Sequence, residues 1–101
     1  MPSWDDVLIR ASGIVTRESG TELVVVLPEQ GKFIVLNATG ARVLHLANGV
    51  HTLREIAHTI AHEFAVDPAR VENDVLRFAE ALLERGALIT VGRAQDRPRP
   101  V

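Results

Sequence analysis

The sequence predicts an α+β domain, a three-stranded antiparallel sheet in the first third of the chain followed by three helices. Two short runs rich in β-branched residues and bounded by turn signals, Leu23 to Leu27 and Lys32 to Leu36, point to the sheet. An apolar stripe at helical spacing from Leu53, together with helix-start patterns at Thr52 and Asp67, points to the helices.

Taken in order, residues 7–17 read as a first strand, interrupted at Gly13, where a bend or bulge is expected. Ser19-Gly20 is a turn. Leu23 to Leu27 is apolar on both faces, which suits a central strand, and Pro28 ends it because proline has no N–H for the ladder. Glu29-Gln30-Gly31 turns the chain into the third strand, Lys32 to Leu36, which falls at an edge of the meander. Asn37 is the expected N-cap of a helix over Ala38 to Ala47, with Gly49 placed to stop it. Thr52-Leu53-Arg54-Glu55 is a capping box. The helix it opens carries Leu53, Ile56, Ala57, Ile60, Ala61 and Phe64 on one stripe and His58, His62 and Glu63 away from it. Asp67-Pro68 starts a third helix as N-cap and first-turn proline, and Gly86 closes it. Ala87 to Val91 adds a short terminal strand, residues 1–91 make up the domain, and residues 92–101, with two prolines and three arginines, are expected to be a disordered tail.

With 101 residues the chain has room for one domain, and 47% hydrophobic with 24% charged residues is the balance of a globular protein with its own core. Cysteine is absent, which excludes disulfides, thiolate zinc sites, iron–sulfur clusters and a cysteine nucleophile. The N-terminal stretch Ser3-Trp4-Asp5-Asp6 is acidic where a secretory signal is basic, and no apolar run reaches the ~20 residues of a membrane span, so a cytoplasmic location away from membranes is expected.

Residue types dismiss the common catalytic arrangements. No G-x-x-x-x-G-K loop and no G-x-S-x-G elbow is present, the serines are Ser3, Ser12 and Ser19, and there is no tyrosine. His58 and His62 are spaced i, i+4, but Thr59 stands where a metalloprotease has its glutamate, and a solvated pair is the simpler reading. No catalytic residues, metal or cofactor are therefore assigned.

Two binding functions fit the same topology. A small sheet and three helices, the last two joined through Val66-Asp67-Pro68, resemble a winged helix-turn-helix domain, and DNA binding by the third helix is the obvious expectation. Charge opposes it: that helix sets Arg70, Arg77 and Arg85 against Glu72, Asp74, Glu80 and Glu84, and the chain as a whole carries −2. The alternative uses the third strand. Its outer edge is short and apolar, with Lys32 its sole charge, and a peptide added there as a further strand reaches the wide apolar helix, where Val71, Val75, Phe78 and Leu82 form one row. The same edge also admits a second copy of the chain as a homodimer, or the segment from Gly92 onward.

A resemblance favours the peptide. The ordered series Val26-Leu27-Pro28-Glu29, Leu36-Asn37, Gly49-x-x-Thr52, Glu55-Ile56-Ala57, Asp74-Val75, Phe78, Leu82 and Gly86-Ala87-Leu88 is similar to the PqqD family, the founding recognition elements for ribosomally made, modified peptides, over roughly residues 8–91. The resemblance implies a non-catalytic adaptor that holds the leader segment of a precursor peptide as a strand beside the third strand and third helix. It would present the precursor to a modifying enzyme such as a radical-SAM protein, a leader peptidase or a cyclase. Carried over by residue, the peptide contacts would be Lys32, Phe33, Ile34 and Val35 on the strand and Arg70, Val71, Asp74, Val75 and Phe78 on the helix, with Arg70 and Asp74 selecting leader charge. Leu36, Asn37, Ile56 and Leu82 would support the fold. The form Gln30-Gly31-Lys32-Phe33 occurs in PqqD-like proteins of several pathways, so pyrroloquinoline quinone, lasso-peptide and other products all stay open.

Overall fold

The computed structural model describes residues 2–94. In chain order the elements are β1 (Asp6–Arg10), β2 (Val15–Ser19), β3 (Glu22–Leu27), β4 (Lys32–Leu36), α1 (Ala38–Leu46), β5 (Asn48–Thr52), α2 (Leu53–Phe64), α3 (Pro68–Glu84) and β6 (Leu88–Arg93), with a 3-10 turn at Pro28–Gln30 before β4. The α+β class with three helices and antiparallel sheets is as expected, but the strands form two sheets instead of one. Their orders are β2-β3-β4 and β5-β1-β6.

The expected first strand, residues 7–17, is therefore corrected. Gly13 adopts φ +84, outside the range other residues readily take, and the chain turns there instead of bending. Residues on its two sides then pair with different partners: β2 with β3, and β1 with β5 and β6. The β5 strand was not expected. Helix α1 stops at Leu46 with Ala47 as its C-cap, and Gly49, at φ +83, lies within the strand. A side chain at Gly49 would meet Ile9 Cδ1 at 3.2 Å, so glycine is needed there for close strand approach as well as for its dihedral. The last strand also extends past the expected limit at Val91. Gly92 and Arg93 pair with Val7 and Asp6, and the Ala94 N–H donates to the Asp5 carbonyl at 2.8 Å, so these three residues are structured and not part of a tail. Residues 95–101 of the expected tail lie outside the described residues.

The three helix starts and the end of α3 follow the sequence signals. Asn37 Oδ1 accepts from the Gly40 N–H at 3.0 Å, and Asp67 Oδ1 accepts from the Ala69 N–H at 3.1 Å. Past α3, the Gly86 N–H reaches the Leu83 carbonyl and the Ala87 N–H the Leu82 carbonyl, a Schellman closure with Gly86 at φ +77. Both halves of the capping box form at α2: Thr52 Oγ1 accepts from the Glu55 N–H at 3.1 Å, and Glu55 Oε1 accepts from the Thr52 N–H at 2.8 Å. Thr52 is the buried polar residue of the core and pairs with Val7 across β5 and β1. Thr52→Ala is expected to cost about 1 kcal/mol through the lost cap, lowering the melting temperature by about 4–8 °C in a thermal melt.

One core joins both sheets to the helices. Leu23, Val25 and Leu27 of β3, Leu8 of β1, Val43 and Leu44 of α1, Ile56 and Ile60 of α2, and Val71, Val75, Ala79 and Leu82 of α3 all belong to it. Their alternation on β3 and their i, i+3, i+4 spacing on α2 are the patterns that made these elements legible. Among the described residues no helix is long and apolar enough to cross a membrane.

Candidate functional site

Strand β4 lies at the end of its sheet. Its pairing with β3 runs from Leu27 opposite Lys32 to Leu23 opposite Leu36, and no strand is bonded to its other side among the described residues. In an antiparallel edge strand, alternate residues aim both N–H and C=O away from the neighbour, so β4 presents a row of bare backbone groups. The segment from Gly92 onward, one expected occupant of this edge, instead pairs with β1 as far as Arg93.

The side chains of β4 divide between two faces. Ile34 is half-buried and Leu36 buried, toward the core, whereas Phe33 is 65% exposed and Val35 46% exposed on the outer face. Cross-strand neighbours continue that outer face. Val15 pairs with Val26 and Val26 with Phe33, giving an apolar row across all three strands. A strand added to β4 would thus place half its side chains beside Phe33 and Val35, and the other half beside Ile34 and Leu36.

Beneath the bare edge runs a groove between β4 and α3. One lobe, about 400 Å³, is lined by Phe33, Ile34, Val35 and Leu36 of the strand and by Phe78, Ala81, Leu82 and Arg85 from α3 and its C-cap. A second lobe, about 540 Å³, continues along the helix past Phe78 and Ala81 to Asn37, Asp74, Arg77, Glu80 and Glu84. The first lobe has Arg85 as its sole charged residue; the second holds three carboxylates against one guanidinium. The shared residues Phe78 and Ala81 mark the boundary. One end of the groove is fixed by the turn before β4, where Gln30 Nε2 donates to the Arg85 carbonyl at 2.9 Å and ties the strand hairpin to the end of α3.

Of the residues singled out from sequence, Phe33, Ile34, Val35 and Phe78 meet in the first lobe and Asp74 lines the second. Lys32 is exposed at the start of β4, outside either lining, and Arg70 is exposed one turn before Asp74. Val71 and Val75 are buried in the core, so they hold α3 against the domain and offer no surface to a ligand. The sequence reading missed the second half of the helix face. Ala81 and Arg85 continue the Phe78 row at i+3 and i+7, and Arg77 and Glu84 flank it; extending the helical period past Phe78 would have found them. Asn37, expected only as a support, both caps α1 and lines the second lobe.

His58 and His62 are exposed, and among the described residues no three His, Asp or Glu side chains are grouped to hold a metal ion.

Comparison with known proteins finds the same fold in solved structures. A solved structure of TbiB1 in complex with the TbiA(beta) leader peptide superposes with a TM-score of 0.67 at 28% identity, covering 79% of this chain and 93% of that one. The PqqD truncation of Methylobacterium extorquens PqqCD, described as a functional and stand-alone recognition element for ribosomally synthesised, post-translationally modified peptides, gives 0.72 at 26% identity, covering 88% and 95%. Lasso peptide synthetase B1 complexed with its leader peptide shares the fold, with a TM-score of 0.68 at 19% identity and coverage of 82% and 98%. No curated protein matches the chain by sequence. The profile of the family described as Coenzyme PQQ synthesis protein D matches residues 22–88, which hold both walls of the groove and all three helices, and the chain thus belongs to the PqqD family.

Proposed function

We propose that this protein is a non-catalytic adaptor that captures the leader segment of a ribosomally synthesised precursor peptide and presents it to a modifying enzyme. The observation that carries this reading is the bare edge of β4 above a groove walled by α3. A leader added as a strand would bond its backbone to that edge, each bond contributing about 1 kcal/mol net. Alternate side chains would enter the apolar lobe, where a buried anchor contributes roughly 1.5–3 kcal/mol. The working contacts are Phe33, Ile34, Val35, Phe78, Ala81 and Arg85, with Asp74 and its neighbours meeting polar side chains of the leader. Two of the similar structures, TbiB1 and lasso peptide synthetase B1, are complexes with a leader peptide, which supports the same kind of ligand. The enzyme that receives the peptide would be a radical-SAM protein, a leader peptidase or a cyclase.

DNA binding through α3 is disfavoured by the same groove, because three carboxylates line the face of the helix that stays open. The test uses a labelled 15-residue peptide selected by display on the folded protein. Amide shifts on titration are expected to cluster at residues 32–36 and 74–85. Shifts confined to other surfaces would overturn the proposal, as would tight duplex binding with a steep salt slope. A concentration-dependent dimer whose formation competes with the peptide would place the second copy at the same edge.

A further inference from the structure

Phe78 divides the groove, and its position depends on a residue outside both linings. Gly40, in the first turn of α1, is buried. A Cβ built on it would lie 3.0 Å from both Cδ1 and Cε1 of the Phe78 ring and 3.2 Å from the Leu36 Cβ. Those distances are shorter than ordinary carbon contacts, so the ring rests against the bare backbone of α1. Gly40 has no positive φ to account for its presence. Glycine is also a poorer helix former than alanine. Space for the ring is thus the physical reason that remains for glycine at this position.

The ring has one direction in which to yield. The ring is partly buried and packed against the core, and packed interiors do not give way. Its open side is the groove, where it lines both lobes. A methyl group at position 40 would therefore lift the ring into the space a leader side chain needs. The Gly40 amide meanwhile holds the Asn37 side chain, so one residue fixes two parts of the groove wall.

We infer that Gly40 is a positioning residue that sets the depth of the groove at Phe78, and so the size of the apolar leader side chain the protein accepts. The inference rests on the peptide-binding reading above. It assigns the ligand class as leaders with a large anchor, leucine or phenylalanine in size, at the position that meets the Phe78 ring.

The probe is the display-selected 15-residue peptide, with its anchor identified by nuclear Overhauser contacts to the Phe78 ring, and a version carrying alanine at that anchor. Gly40→Ala is expected to weaken the large-anchor peptide about tenfold while changing the alanine version less than about twofold. With Phe78→Leu as the background, adding Gly40→Ala is expected to change large-anchor binding less than about twofold, because the smaller side chain leaves room for the methyl group. In protein labelled with fluorophenylalanine, Gly40→Ala is expected to move the Phe78 resonance and leave that of Phe64 in place. If Gly40→Ala alone fails to fold, the double variant is read against Phe78→Leu: large-anchor binding within about threefold of that single variant supports the inference, and failure to fold, or a larger loss, overturns it. Equal loss for both peptides, or no loss for either, overturns the role of Gly40 while peptide binding stands. Peptides that bind away from β4 and α3 overturn both.

Discussion

Ala81→Glu is expected to weaken binding of the selected peptide by at least about 100-fold while leaving the fold intact, which corresponds to about 2.8 kcal/mol. Ala81 is exposed, contributes to both lobes and lies outside the core, so nothing packed depends on its methyl group. On the helix the introduced carboxylate would stand four residues from Arg77 and four from Arg85, spacings at which opposite charges attract by a few tenths of a kcal/mol. Glu84, three residues on, repels it by a similar amount, so helix stability is held within a few tenths of a kcal/mol. A leader, in contrast, would have to bury its apolar anchor against an ionised group, which stays solvated only if the anchor stays out. Isothermal titration of the variant beside a thermal melt separates the two effects. Binding within threefold of the unaltered protein would remove the groove from the mechanism.

The second large effect concerns stability. Leu8→Ala is expected to cost 2–5 kcal/mol, the usual range for truncating a buried leucine, and to lower the melting temperature by about 10–30 °C. Leu8 is 0% exposed, lies on the middle strand of the β5-β1-β6 sheet and contacts the shared core. A single meander running through residues 7–17 would put this residue on an outer strand, where truncation costs less. The melt therefore tests the two-sheet arrangement as well as the packing. A drop under 3 °C would show that β1 is not the central strand.

The parts of the fold that were legible are those written in local chemistry. Asn37, Thr52 and Asp67 are caps whose partners lie within three residues, and the apolar period of α2 needs no distant information. The β3–β4 hairpin follows from Pro28 and Gly31 between two β-branched runs. The β5 strand was illegible for the opposite reason. Asn48 to Thr52 contains a glycine and ends in a helix cap, so its residues read as a connection, and its strand character comes from pairing with β1 some forty residues earlier. The same distance hid the split at Gly13, since only the partners of β1 reveal that it leaves the meander.

At the candidate site, the sequence reading took Lys32 to Val35 together as contacts, whereas the fold divides them by face, with Phe33 and Val35 exposed and Ile34 half-buried beside the buried Leu36. The helix wall was read one turn too early. Val71 and Val75 are apolar because they are buried, and the same property cannot tell a core face from a groove face. What moves the site toward Ala81 and Arg85 is the path of β4, whose preceding turn is tied to the end of α3 through Gln30, a contact fifty-five residues apart in sequence.

The pairing of Asp6 with Arg93, closed by the Ala94 amide on Asp5, has a use outside this chain. Entry and exit of the domain sit one strand spacing apart, about 4.8 Å. Such a unit can be spliced into a surface loop of a host enzyme as a cassette, the host's own backbone resuming almost where it left off. Installed that way, it would give a catalyst a built-in docking arm for its substrate without rerouting the catalyst's architecture.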